Sequence, residues 1–150
     1  MNGAFLHLLI NHVPILGSLF ALCLLIYGMF MKSGSVIRAA FVSLIVTALV
    51  SIPAFLSGEE AEHVIKPIIG INKEAIEEHE EMADIAFWSL MMSGAIALGT
   101  LLAARASKII SKPLVWVNLI LLFIVFVLMA RTGWSGGEIR HSEIKIESAD

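Results

Sequence analysis

Four stretches without Asp, Glu, Lys or Arg decide what this chain can be: Ala4 to Met31, Ala39 to Ser57, Ile85 to Ala104 and Pro113 to Ala130. A helix of about 20 apolar residues spans the roughly 30 Å of bilayer hydrocarbon, and in lipid only helices and closed barrels satisfy their own backbone groups. The expected fold is therefore all-α, one integral membrane four-helix bundle over residues 1–150. Its helices are expected at about 3–31, 37–57 with a possible extension to 65, 73–105 and 113–132. An outer loop over 58–72 and an outer tail over 133–150 complete it. The first stretch lacks the basic leader, the short apolar centre and the small-residue exit of a cleaved signal, so it is expected to stay as a helix.

The orientation follows from charge. The turn from Lys32 to Arg38 and the turn from Arg105 to Lys112 together hold five Lys/Arg and no acid. By the positive-inside rule both face the cytoplasm, which puts both termini outside, in a bacterial inner membrane. The remaining segments carry five Lys/Arg against all thirteen Asp/Glu, a local balance of −8. A net charge of −3 with no basic stripe excludes nucleic acid as a partner. The single cysteine, Cys23, provides neither a disulfide nor a thiolate site, and reads as a small packing residue.

All five histidines fall on the acidic side: His7, His12, His63, His79 and His141. Histidine in the first turns of a membrane helix needs a partner, because an unpaired polar group in hydrocarbon is costly. His7, Asn11, Pro14 and Ser18 share one face of helix 1, while His12 sits about 140° round from His7. Ahead of helix 3, Asn72 reads as an N-cap followed by Glu74, Glu77 and Glu78 at the positive end of the helix dipole. On that extension Ile76, His79, Ala83, Ala86 and Leu90 form one stripe, so His79 points at the bundle while Glu77, Glu78 and Glu81 face water.

Small residues set which helices pack inside. Ser43, Thr47 and Ser51 on helix 2, and Ser89, Ser93 and Ala97 on helix 3, recur at four-residue steps that let membrane helices approach closely. Helix 4 is apolar on every side except Asn118, and Trp116 and Trp134 mark its interfaces. Pro53 can kink helix 2 near its outer end.

Two kinds of site are compatible with these residues. Imidazoles projecting inward from facing helices hold b-type haem through two axial positions. His7 or His12 with His79 suits that need, and Arg140 in the tail could meet a haem propionate or an outer glutamate. The second is a metal centre of Fe, Zn or Cu drawn from His7, His12, His63, His79, His141, Glu60, Glu80 and Glu138. Glu60 with His63, and Glu138 with His141, each have the Glu-x-x-His spacing that puts both side chains on one helix face. The paired Gly136 and Gly137 are expected to break the fourth helix and fold the tail back over the mouth of the bundle.

No nucleophile triad, phosphate loop or nucleotide fingerprint is present, which argues against a hydrolase or kinase. The readings that remain are an electron carrier passing electrons between quinol and an external redox partner, a metal-binding protein, or a non-catalytic accessory subunit of a larger membrane complex. His12-Val-Pro14 near the N-terminus, Gly58-Glu59 at the end of helix 2 and Thr132-Gly-x-x-Gly-Gly137 after helix 4 resemble a widespread group of small bacterial four-helix membrane proteins. That resemblance implies a cytochrome-like layout, with His12 and the Gly136-Gly137 pair at the matching positions. His141 and the glutamate-dense loop depart from the group's pattern.

Overall fold

The computed structural model describes residues 3–68, 72–107 and 109–139. The first span is two helices end to end, α1 (Gly3–Ile10) and α2 (His12–Phe30). Pro14 explains the break: it has no N–H for the Ile10 carbonyl, and its ring crowds that carbonyl. The Asn11 amide still reaches the His7 carbonyl at 2.8 Å, so a helical hydrogen bond persists up to the break. The other spans are α3 (Gly34–Ile65), α4 (Lys73–Ser107) and α5 (Lys112–Glu138). Four helical spans are long and apolar enough to cross a membrane, counting α1 and α2 as one.

Local chemistry accounts for the boundaries. Lys32 closes α2 at φ 53°, and Ser33 caps α3 by accepting from the Val36 amide at 3.4 Å. Asn72 caps α4 as expected, its Oδ1 accepting from the amides of Glu74 at 3.1 Å and Ala75 at 3.3 Å. Pro53 lies inside α3, which stays helical through the expected extension to Ile65. One expectation needs correction. Residues 133–138, expected as a non-helical tail, are the last turns of α5. Glycine weakens a helix by about 1 kcal/mol relative to alanine, but packing against α4 outweighs that penalty here.

The spans form a ring. The first span packs on α3 and α5, and α4 packs on the same two helices. Among the described residues α4 makes no close approach to α1 or α2, so those two spans lie on one diagonal and α3 and α5 on the other. Phe41, Leu25, Leu44, Leu90 and Leu122 fill the centre without measurable exposure. Ser51, Ser93 and Ala97 are buried with them, while Ala95, Gly99 and Ala103 on the flank of α4 are exposed. Outward-facing Phe20, Phe30, Trp88, Leu102, Ile120 and Phe123 are each more than half exposed, a surface that only lipid covers without penalty.

Buried hydroxyls bond back to their own helices: Ser18 to the Ile15 carbonyl, Thr47 to Ser43 and Thr100 to Ile96, each at 2.8 Å. Asn118 donates to Thr100 Oγ1 at 3.2 Å and so ties α5 to α4. Close approach depends on glycine where α2 crosses α3: a Cβ on Gly17 would come within 2.7 Å of Thr47 Cγ2. Gly17→Leu is expected to force these helices apart and cost about 1–3 kcal/mol. Unfolding in detergent with rising sodium dodecyl sulfate measures the loss, and an unchanged midpoint would contradict this account of the crossing.

Candidate functional site

His7 and His79 enter at the same end of the bundle, about 6 Å and about 9 Å from the starts of α1 and α4 at 1.5 Å per residue. Each imidazole is anchored to a neighbouring helix. His7 Nδ1 lies 3.0 Å from the Ala54 carbonyl of α3 and 3.5 Å from Ser57 Oγ. His79 Nδ1 lies 3.0 Å from the Thr132 carbonyl of α5 and 3.1 Å from Ser135 Oγ. A carbonyl only accepts, so in both rings the proton sits on Nδ1, and the lone pair on Nε2 meets no hydrogen-bond donor among the described residues. Both serines also donate to those same carbonyls, at 3.0 Å each.

Glycine makes room for the His79 ring, since a Cβ on Gly136 would stand 3.0 Å from Cε1, whereas a Cβ on Gly58 would make ordinary contact with His7 Cε1 at 3.5 Å. Since α1 and α4 lie on one diagonal of the ring, the two rings enter the same end of the bundle from opposite corners. Phe55 of α3 stacks on Phe87 of α4 at 4.2 Å, pinning the two helices just below this level. Beside the site, Glu78, Arg131, Trp134, Ser135 and Glu138 line an open cleft between α4 and α5.

The other candidates among the described residues do not join this pair. His12 is exposed on the outer surface of the first span, with its Nδ1 bonded to Asn11 Oδ1. Glu60 is exposed beside Gly3, and His63 and Glu80 are exposed on their helices. Glu138 accepts a bond from Trp134 Nε1 at 3.0 Å. Arg140 and His141 lie outside the described residues. Among the described residues no three of His, Cys, Asp or Glu gather in a group able to hold a metal ion.

Of the residues that set the two rings, only Thr132 was singled out from sequence, as the start of Thr132-Gly-x-x-Gly-Gly137; Ala54, Ser57 and Ser135 were not. Ala54 and Thr132 act through their carbonyls, which side-chain chemistry does not reveal. Ser57 and Ser135 had one legible signal, since each directly precedes a glycine. The pair of Nε2 atoms is the chemical resource of the site, a set of neutral nitrogen donors fixed in tautomer by bonds to backbone. Neither a family model, nor a curated protein, nor a solved structure matches the chain.

Proposed function

We propose that this chain is a membrane-integral, cytochrome-like electron carrier whose His7 and His79 hold haem b at one end of the bundle. The observation that carries this reading is the matched anchoring of the two imidazoles. A metal-ligating histidine usually gives its other ring N–H to a carbonyl or carboxylate, which fixes the ring and raises its basicity. Here both rings do so from facing helices, and a glycine stands against each. Bound there, the haem would supply reversible one-electron chemistry, its potential tuned by those bonds and by the apolar helices around them.

The chain's own residues do the rest. Ser57 and Ser135 steady the carbonyls that orient the rings, and Arg131 in the adjacent cleft offers a cation to an acidic group such as a propionate. The basic short turns and the acidic opposite side support an inner-membrane orientation with the histidine end outward. Quinol from the bilayer and a redox partner at that face are the electron donor and acceptor of this reading. A metal ion bound without a macrocycle would need a third ligand, and the described residues bring none to His7 and His79.

The test is the reduced-minus-oxidised visible spectrum of the whole chain purified in detergent from a haem-replete host. A sharp b-type α band is expected, and His12→Ala is expected to retain it in full. A colourless protein overturns the reading, and elemental analysis of that sample then decides between a bare metal site and a purely structural bundle.

A further inference from the structure

The pattern Ser-Gly-x-Glu-x-x-His occurs twice, at Ser57–His63 and at Ser135–His141. Both copies begin at the histidine end of the second helix of a hairpin, and the first helix of each hairpin carries the anchored histidine. The contacts repeat atom for atom. Each Nδ1 meets the carbonyl three residues before the serine at 3.0 Å, and each serine donates to that carbonyl at 3.0 Å. In both hairpins the glycine after the serine lies nearest to Cε1 and then Nδ1 of the ring.

The likeness continues down the bundle. At seven-residue steps below His7 stand Pro14, Ala21 and Gly28; below His79 stand Ala86, Ser93 and Thr100. All six are buried, so each histidine heads an inward seam of small residues. The histidine helices occupy one diagonal of the ring and the Ser-Gly helices the other. Alternate helices run in the same direction, so a half-turn about the bundle axis exchanges the two hairpins.

We infer that the chain is a fused two-fold repeat of one helix hairpin, and that its site presents two equivalent faces to a single planar ligand. This rests on the proposed function only for the identity of that ligand. A macrocycle with two axial positions suits such a site, because each face meets the same imidazole, carbonyl, serine and glycine. Because the half-turn exchanges the two rings, a single molecule lying on its axis would meet both in the same way, and one ligand per chain is expected. Haem b itself lacks two-fold symmetry in its vinyl pattern, so a site that treats both faces alike accepts it in two orientations related by the half-turn. The departures from symmetry are local: the Pro14 break has Ala86 opposite it, and Gly136 stands closer to its ring than Gly58 does.

Two measurements on the full chain test this. The first uses cofactor-free protein with nitrogen-15-labelled histidine, at mildly alkaline pH where imidazole is neutral. His7 and His79 are both expected as the Nδ1–H tautomer, with Ser57→Ala shifting the signals of His7 and Ser135→Ala shifting those of His79 by a comparable amount. An Nε2–H tautomer in either ring, or a response to only one serine, overturns the two-fold site. The second uses haem-loaded protein, where one haem per chain and two sets of haem-methyl proton signals of comparable intensity are expected. The local departures at Pro14 and Gly136 are what would resolve the two orientations; two haems per chain, or two sets of signals of very unequal intensity, overturns it. A colourless protein with both rings in the Nδ1–H form rejects haem as the ligand and upholds the two-fold site, so the two ideas fail separately.

Discussion

His79→Ala protein, made in a haem-replete host, is expected to lose the b-type α band entirely, and His7→Ala protein to lose it just as completely. The reasoning is stoichiometric. Haem held as proposed would draw one nitrogen from each ring, and His12, five residues from His7, faces away from the bundle with its Nδ1 tied to Asn11. His63 is exposed on α3. Removing the His79 ring leaves the Thr132 carbonyl with its bond from Ser135 at 3.0 Å, so the helix end keeps a partner and the fold survives. The stability lost with one such hydrogen bond is about 1 kcal/mol, small beside the loss of the cofactor. If both variants kept the α band, the ligand assignment would be wrong; if His79→Gly regained colour with added imidazole, the empty ligand position would be identified directly.

The second large effect contrasts two adjacent glycines. Gly136→Leu is expected to drive His79 off the Thr132 carbonyl, because a Cβ there would press within 3.0 Å of Cε1 and 3.3 Å of Nδ1. Overpacking of this kind costs about 1–3 kcal/mol, and a misplaced ligand should weaken haem binding at least about tenfold, the equivalent of roughly 1.4 kcal/mol. Gly137→Ala should do the reverse. A Cβ on Gly137 meets nothing within 4 Å, so alanine brings only its better helix propensity, a gain of up to about 1 kcal/mol. Haem titration and thermal unfolding of the two variants check both signs, and equal behaviour would refute the assignment of Gly136 to the ring.

The spans were legible because hydrocarbon thickness demands a length that few soluble segments reach, and because Asn72 announces α4 with a side chain that accepts from the first turn. The inward aim of His79 was legible from its stripe with Ile76, Ala86 and Leu90, which are all buried. The choice between His7 and His12 was not. Periodicity puts them on different faces, but the face that turns inward is decided by how α1 packs on α3. The last turns of α5 were misread because local propensity counts two adjacent glycines against a helix, while the contact that retains them there comes from a histidine more than fifty residues away. Backbone carbonyls on α3 and α5 complete the site, and no residue type advertises a carbonyl.

The placement of His7 and His79 within the first two turns of their helices has an electrical consequence. Moving one elementary charge across the whole membrane against 100 mV takes about 2.3 kcal/mol. An electron that enters and leaves at the histidine end traverses only a small part of that field. If the chain carries electrons as proposed, exchange there would run at nearly the same equilibrium in energised and de-energised membranes, and electrons would pass along one surface without charging the membrane.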